Sequence, residues 1–302
     1  MSGDTGARPR LRDNRASLVR VTVAGRVAPA RLDPEFAGLD ATPGCVRLPA
    51  AGGIVPGIHA GDPLALRAAD HLIPAVSAED VDVEPAVAGP FHLLAAIGDR
   101  VRLASGPPLG VVAGKRGGLA PGFIGPHLIG LEAPDARLSE LVPEERVVLD
   151  AIGRGLAFID HPSITLLNLS PDAIDVLPMA RAGDALEIAV RAVVPSHVCA
   201  AGLGSDSWIG ALELDDGGTG VVPGILCFGD LVAVEDLDAA TTRFHRPGYV
   251  AVGVVSHGGS PAPGHGPGLT VVATGPRECL RPRMRDDASL GPWLRHRAEE
   301  GL

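Results

Sequence analysis

Residues 229–234 read Gly-Asp-Leu-Val-Ala-Val, and this short stretch decides the class of fold. The glycine can take the positive φ angle that a tight turn needs, and the aspartate can close that turn with a side-chain hydrogen bond. Apolar residues then occupy positions 232 and 234, the period of two that is typical of a strand with one buried face. The stretch therefore predicts a turn that leads directly into a half-buried strand.

The same pattern begins at Gly61-Asp62, Gly98-Asp99 and Gly183-Asp184. Its irregular spacing excludes a solenoid or propeller repeat, and we expect the four aspartates to be turn formers rather than catalytic groups. Helical signals are sparse; the best is Ser170-Pro171, an N-cap followed by proline at the first helical position. The sequence therefore predicts a mainly β (α+β) fold, with antiparallel strands in barrel- or sandwich-like sheets and a few short helices.

Interruptions of the apolar runs predict how the chain is divided. A polar, arginine-rich start and a proline- and acid-rich stretch at 132–146 suggest boundaries, and the arginine-rich stretch near the C-terminus is broken by Glu278 and Pro282. The predicted segments are a flexible N-terminal arm over 1–16, a β-rich domain over 17–135, a second β-rich domain over 136–276 and a solvated C-terminal tail over 277–302.

Composition narrows the classes of function. Hydrophobic residues make up 46% and charged residues 21% of 302 residues, which is typical of a globular protein. The net charge of −10 argues against a nucleic-acid partner, because phosphate backbones are bound by clustered cations. The apolar runs fall short of the ~20 residues of a membrane span, and the first residues lack the apolar region of a secretory signal. We therefore expect no nucleic-acid or membrane partner.

Cysteine usage points to a compartment. The four cysteines are far apart in sequence and show no spacing of a zinc ribbon or a redox dithiol. With no secretory signal, we expect reduced thiols and a cytoplasmic location. Exposed sheet edges need to be covered, so we also expect a homo-oligomer. The other partner that we expect is a small-molecule ligand.

A group of polar residues in the last third of the chain is the leading candidate site. Asp236 and Asp238 follow one predicted strand, His257 ends the next, and His265 lies in the loop Gly264-His265-Gly266-Pro267-Gly268. Because sites are commonly built at strand ends, we expect these side chains to converge. His265, His257 and Asp236 are the predicted catalytic residues and Asp238 a predicted metal ligand. The alternative is a tight surface turn with a solvated histidine.

The chemistry of these residue types suits a divalent metal such as zinc, manganese or magnesium, bound by carboxylate oxygens and imidazole nitrogens. A metal would lower the pKa of a bound water towards ~7 and make a nucleophile at neutral pH. Without a metal, an imidazole beside a carboxylate could act as a general base.

Three further places could contribute. Asp70 and His71 are predicted metal ligands, or a pair in which the carboxylate orients the imidazole; the alternative is a turn carboxylate beside a surface histidine. Lys115 and Arg116 lie in a glycine-flanked basic turn that could hold an anionic group of a substrate, although a plain hairpin turn would look the same. His197 is a predicted substrate-binding residue in a polar loop.

Several short motifs occur in the order found in one known family. They are Ala51-Gly-Gly-Ile54, Gly61-Asp62-Pro63, Asp70-His71-Leu-Ile-Pro74, Gly114-Lys115-Arg-Gly117-Gly118, Phe228-Gly229-Asp230, Val254-Val255-Ser-His257 and Gly264-His265-Gly266-Pro267-Gly268. Together they resemble the bacterial and archaeal family known as domain of unknown function 4438, over about residues 17–275. The resemblance implies the fold class rather than a reaction.

Two positions depart from the pattern of that family. Ile73 stands where the resemblance implies an acidic residue, and Arg116 stands where it implies a histidine. These departures remove a carboxylate and an imidazole from two candidate sites. His257 and the His265 loop match the pattern, so the resemblance places the candidate site there.

The sequence leaves two hypotheses of function. The first is a metal-assisted enzyme, a hydrolase acting on a small polar or amide-type molecule. The second is a non-catalytic small-ligand-binding β-barrel or an assembly protein. Stoichiometric metal that depends on the histidines would separate them.

Overall fold

The computed structural model describes residues 11–31, 38–39, 45–46, 52–64, 69–84, 87–117, 126–215, 217–223, 226–260 and 264–300. The strands are β1 (Val21–Val27), β2 (Gly38–Leu39), β3 (Cys45–Val46), β4 (Ile54–Val55), β5 (Ala75–Asp80), β6 (Arg100–Leu103), β7 (Pro108–Arg116), β8 (Leu128–Glu132), β9 (Arg146–Ala151), β10 (Thr165–Leu166), β11 (Met179–Ala182), β12 (Ala185–Val190), β13 (Ala192–Pro195), β14 (Leu212–Glu213), β15 (Leu231–Asp238), β16 (Phe244–His257), β17 (Gly268–Pro276) and β18 (Leu280–Met284). The α-helices are α1 (Pro90–Leu94), α2 (Asp135–Leu138), α3 (Pro171–Val176) and α4 (Gly291–Glu299), and 3-10 turns span Arg15–Ser17 and Ser196–Val198.

Six strands close into an antiparallel barrel. Their order is β1-β9-β6-β7-β8-β5, and β5 pairs back with β1, while β4 extends the sheet from β5. One apolar cluster takes a buried residue from every barrel strand: Val27, Val76, Val101, Val112, Leu131 and Leu149. The interior is therefore a packed core, as expected for a small barrel.

A second sheet carries the C-terminal half of the chain. Its order is β10-β17-β16-β15-β13, with β14 also paired to β17, and β11-β12-β18 form a smaller sheet. The pairs β13–β15 and β12–β18 are parallel, which the antiparallel prediction did not include. Long connections between the paired strands permit these two exceptions. The prediction of a mainly β fold with short helices is confirmed.

The recurring Gly-Asp pattern forms turns as predicted. All four glycines have positive φ: Gly61 (92°), Gly98 (92°), Gly183 (66°) and Gly229 (93°). The Asp62, Asp99 and Asp230 carboxylates each accept a hydrogen bond from the backbone N–H three residues earlier. Those three aspartates are thus turn formers. The helix predicted at Ser170 is also confirmed, because the Ser170 hydroxyl accepts from the Ala173 N–H at 3.3 Å.

Two predicted boundaries differ from the structure. The barrel continues past residue 135, because β9 pairs with both β1 and β6. The predicted tail 277–302 contains β18 and α4, with Leu280 and Leu294 fully buried, so the expectation of a solvated tail is wrong. The strand β18 was not predicted, because arginines at positions 281 and 283 interrupt the apolar residues that would indicate a strand.

The N-terminal arm lies partly outside the described residues, which begin at residue 11. Within 11–16, Asp13 forms a bridge with Phe158, and the Asn14 side chain accepts from the Ala157 N–H at 2.9 Å. This part of the arm is therefore attached to the body of the chain. No helix in the described ranges is long and apolar enough to cross a membrane.

The barrel meets the second sheet at the end of β7. The Lys115 N–H donates to Thr270 Oγ1 at 2.8 Å, and the Ser256 hydroxyl donates to the Lys115 carbonyl at 3.1 Å. A Cβ at Gly114 would lie 2.2 Å from Ser256 Cβ, so only glycine permits this close approach. The junction places the end of β7 beside the C-terminal end of β16 and the N-terminal end of β17.

Candidate metal site

The loop before β5 brings His71 to the end of β16. The His71 N–H donates to the Gly259 carbonyl at 3.0 Å, and the Gly258 N–H donates to the Leu72 carbonyl at 2.9 Å. His71 has a φ of 48°, in the left-handed region that residues other than glycine adopt uncommonly. Its Nδ1 lies 2.7 Å from the Oδ1 of Asp70. Because the backbone is not extended here, the two adjacent side chains meet instead of pointing to opposite faces.

Three strands align a glutamate with a histidine. Gly268 at the start of β17 is opposite Glu213 of β14 on one side and opposite His257 of β16 on the other. Residues directly opposite in a ladder have side chains on the same face. Since Gly268 has no side chain, the space between Glu213 and His257 remains open to their side chains.

Two histidines and this glutamate form a compact cluster. The Oε2 of Glu213 lies 2.8 Å from Nδ1 of His265 and 3.5 Å from Nε2 of His71. One ligand atom from each residue lies within 4.8 Å of the others. The ring centroid of His71 is 5.5 Å from those of both His257 and His265. His71, Glu213 and His265 are hereafter called the metal cluster.

The donor set fits a divalent metal. Two imidazole nitrogens and one carboxylate oxygen are the ligands of many catalytic zinc sites, which keep a fourth position open. Tetrahedral ligands at about 2.1 Å from zinc are about 3.4 Å apart, close to the 3.5 Å between His71 and Glu213. The 2.8 Å between His265 and Glu213 is a hydrogen-bond distance, so these two side chains would have to move apart to bind an ion together. The Asp70 contact with His71 Nδ1 is the outer carboxylate that commonly orients a ligating histidine and leaves its Nε2 facing the metal.

The loop that carries His265 is held by tight backbone contacts. A Cβ at Gly266 would lie 1.5 Å from the Leu214 carbonyl oxygen, so a side chain cannot be accommodated there. The Leu214 N–H donates to the Pro267 carbonyl at 3.0 Å, and the Ser260 N–H donates to the His265 carbonyl at 2.6 Å. The loop therefore lies in close contact with the backbone at the end of β14. His265 is the most exposed member of the metal cluster, with 21% of its side chain accessible.

Both carboxylates of the site favour the ionised form. Burial raises the pKa of Asp70, but its contacts with His71, Ser260 and the charge of Arg116 outweigh that effect and lower it. Burial likewise opposes ionisation of Glu213, yet hydrogen bonds from His265 and His71 hold its pKa well below the usual range. Burial disfavours the charged form of His71, but Asp70 and Glu213 raise its pKa. The two ionised carboxylates thus lie among the positive charge of Arg116 and a histidine that they help to protonate.

His257 differs from the other histidines. Its Nδ1 lies 2.8 Å from the Gly258 carbonyl, and since a carbonyl only accepts, this nitrogen carries the proton. The Nε2 atom is buried and has no hydrogen-bond partner among the described residues. Burial lowers the pKa of His257 to about 4, with a further lowering from His71, so the ring is neutral at neutral pH. A buried lone pair thus lies beside the metal cluster.

The two predicted carboxylates of β15 lie elsewhere. Leu231 is opposite Val254 and Asp238 is opposite Phe244, so β15 ends at the far end of β16 from His257. Asp238 lies seven residues along β15 from Leu231, which corresponds to about 23 Å of extended strand. The prediction that Asp236 and Asp238 join the histidines is therefore wrong, because consecutive antiparallel strands end at opposite edges.

Both carboxylates have structural contacts instead. Asp236 lies at the bulge in β15 with φ 55°, is exposed, and accepts from the Gly248 N–H at 2.8 Å. Asp238 is buried and pairs with Arg246 at 2.7 Å. They act as a turn former and an ion-pair partner.

The predicted substrate-binding residues separate. Arg116 is buried at the end of β7, near enough to lower the pKa of Asp70 by its charge. Lys115 bonds through Nζ to the Trp208 carbonyl at 2.8 Å, on the other side of the strand. His197 is exposed on a 3-10 turn, and no polar contact joins it to the metal cluster within the described ranges.

The comparisons with known proteins agree with the sequence resemblance. The family described as "Domain of unknown function (DUF4438), N-terminal" matches residues 39–175, and its C-terminal counterpart matches residues 176–294. The chain belongs to the DUF4438 family. A solved structure of this fold, "Crystal structure of TM1086", has a TM-score of 0.84 at 28% identity, covering 95% of this chain and 100% of that one. No curated protein matches.

In this DUF4438 chain, sequence reasoning missed Glu213. The residue is the only charged one in the apolar run 210–214, and a charged residue inside a buried strand commonly has a partner. That local signal could have identified it.

Proposed function

We propose that the chain is a divalent-metal-dependent enzyme that hydrolyses a small polar molecule, with the metal held by His71, Glu213 and His265. The observation that carries this proposal is the convergence of these three ligand atoms within 4.8 Å, with Asp70 orienting His71. Imidazole ligands favour zinc over magnesium, which prefers oxygen ligands and keeps most of its water. Manganese is the second choice for this set.

Each neighbouring residue has a part in the proposed reaction. The metal would supply a bound water with a pKa near ~7. Asp70 fixes the proton on Nδ1 of His71 and so keeps Nε2 for the metal. With a metal bound, His257 would offer its buried Nε2 lone pair, unpartnered among the described residues, to a proton of that water, as a weak base whose pKa is about 4.

The charge of the site suggests the substrate class. Asp70 and Glu213 are ionised, and Arg116 and a divalent ion would more than balance them. A net positive charge then remains next to the metal, which favours a substrate with one anionic group such as a carboxylate. Arg116, whose charge acts on Asp70, would attract that group, a role predicted from the sequence for Lys115 and Arg116 together.

Metal content measured by inductively coupled plasma mass spectrometry tests the proposal. Wild type dialysed against zinc and then against metal-free buffer should retain about one ion per chain. Glu213→Gln keeps the shape of the side chain but removes its charge, and it should retain little. His197→Ala is the matched control, because this exposed histidine lies outside the metal cluster, and it should retain the wild-type amount. Equal content in Glu213→Gln and wild type would contradict the proposal.

One observation favours the non-catalytic alternative. A cleft of about 240 Å³ between the barrel and α4 is lined by His59, Glu132, Pro134, Asp135, Arg295 and Glu299. His59 Nδ1 lies 2.7 Å from the buried Glu132 carboxylate. The second candidate function is the binding of a small ligand in this cleft without a reaction. Calorimetry with wild type and His59→Ala would test it.

The cytoplasmic location and the homo-oligomer stay predictions. Light scattering coupled to size-exclusion chromatography would give the mass in solution.

A further inference from the structure

A buried segment before β14 is bound by side chains from distant parts of the chain. Lys115 Nζ donates to the Trp208 carbonyl at 2.8 Å, and Arg243 Nη2 donates to the Ile209 carbonyl at 2.8 Å. The Gly210 N–H donates to His92 Nε2 at 3.0 Å. Because consecutive Cα atoms are about 3.8 Å apart, three head groups anchored on adjacent residues are held near one another.

The charges in this group are not balanced by ion pairs. Arg243 and His92 are fully buried and Lys115 is 2% exposed. Within the described ranges, neither Lys115 nor Arg243 forms an ion pair with a carboxylate, and the carboxylates whose charges act on them at longer range are Asp206, Asp99 and Glu213. An unpaired buried charge is costly, so a partner of opposite charge is expected.

Two buried donors also lack an acceptor. Arg243 Nη1 has no hydrogen-bond partner among the described residues. His92 accepts at Nε2, so its neutral ring carries the proton on Nδ1, and that atom also has no partner there. Folded proteins pair nearly all buried donors, and those that remain commonly mark an ion or a water.

The lysine is unusual in this sequence. Lys115 is the single lysine of the chain, whose Lys plus Arg count is 26. Burial, aided by the charge of Arg154, lowers the pKa of Lys115 to about 7. Unlike arginine, a lysine can lose its proton when buried and regain it when a negative charge arrives.

We propose that Lys115, Arg243 and His92 form a binding site for a small monovalent inorganic anion such as chloride. Such an anion would accept from Arg243 Nη1, His92 Nδ1 and the remaining Lys115 N–H groups at once. Water could satisfy the donors but would leave the charges unbalanced. The near-complete burial of the three side chains favours a small ion over a large one. None of the three residues belongs to the metal cluster, although the charge of Glu213 acts on Arg243, and the anion site does not depend on the proposed function.

Thermal unfolding at constant ionic strength tests the proposal. Replacing sodium gluconate, whose anion is too large for the site, with sodium chloride should raise the Tm of wild type saturably by roughly 3 °C or more. Lys115→Met removes the charge and the donors at similar length, and it should lose this response. Arg283→Met changes an exposed cation of β18 and should keep it. Equal Tm values of wild type in the two salts, or an undiminished response in Lys115→Met, would overturn the proposal.

A crystal of wild type grown in sodium bromide gives a second test that needs no variant. Anomalous scattering should show a bromide ion within hydrogen-bonding distance of Arg243 Nη1 and His92 Nδ1. An ordered water there with no anomalous signal would reject the anion site.

Discussion

Gly268 faces His257 across the ladder between β16 and β17, and a Cβ atom on Gly268 would lie 1.9 Å from His257 Nε2. The imidazole therefore occupies the space that any other residue at 268 would fill. Glu213 is opposite the same glycine from the other strand. The absence of one side chain thus lets a histidine and a glutamate from non-adjacent strands approach the same point.

The first prediction is that Gly268→Ala displaces His257. The new methyl group cannot coexist with the ring in its present position, so overpacking should lower the free energy of unfolding by about 1–3 kcal/mol. The metal content should fall as well, because the ring would move towards the metal cluster. Urea unfolding and the metal assay measure the two effects.

A double-mutant cycle separates this clash from a general effect of alanine in the strand. In the His257→Ala background the space is empty, so Gly268→Ala should cost much less stability there. An equal cost in both backgrounds would show that the glycine is needed for another reason.

The second prediction concerns Asp70. Asp70→Asn keeps the shape of the side chain but removes the charge beside His71 Nδ1. Loss of such an outer carboxylate should weaken zinc binding by about 10–100-fold, whereas His71→Ala should abolish it. Competition with a chromophoric chelator measures both affinities. Equal affinities of Asp70→Asn and wild type would show that His71 is oriented by other contacts.

The fold class could be predicted because its signals are local. The Gly-Asp turn at Gly229 and the alternation that follows it depend on a few neighbouring residues. Barrel closure could not be predicted in the same way. It depends on the pairing of Gly25 with Asp80. These two residues are far apart in the sequence, and no local pattern indicates that they meet.

The candidate site was only partly predictable for the same reason. His71, His257 and His265 were chosen for their residue type and their glycine-rich surroundings, and the structure brings them together. Asp236 was chosen because it follows a strand, but strand direction decides at which edge a residue lies, and direction is a property of the whole sheet. Glu213 is recognisable as a ligand only once β14 is paired with β17.

The third prediction tests the corrected role of Asp238. Its buried carboxylate accepts from Arg246, so Asp238→Asn should lower the free energy of unfolding by about 1–3 kcal/mol. Metal content should stay at the wild-type value, since the residue lies at the far end of β15. Asp236→Asn, at the exposed bulge, should lower the free energy of unfolding less than Asp238→Asn does. It should also keep the metal content of wild type. Loss of metal in either variant would restore these residues to the site.

The fourth prediction is a pH dependence that arises from Lys115. Its pKa is about 7 in the folded chain against 10.5 for an ordinary lysine, and the groups that act on it are Arg154, Asp99, Asp206 and Arg243. Between these values the unfolded chain binds more protons than the folded one, so stability rises with pH. In chloride-free buffer wild type should gain up to about 1.4 kcal/mol per pH unit over Lys115→Met between pH 7 and 10.5.

The single lysine allows this titration to be observed directly. In protein labelled with ¹³C at the lysine ε carbon, one resonance reports on Lys115, and in gluconate its midpoint should lie near a pKa of about 7. Chloride favours the protonated amine if it binds beside it, so in chloride the midpoint should rise and the stability slope of wild type should become shallower. A midpoint near 10.5 in gluconate would mean that a carboxylate already balances the charge, and the anion site would then have no basis.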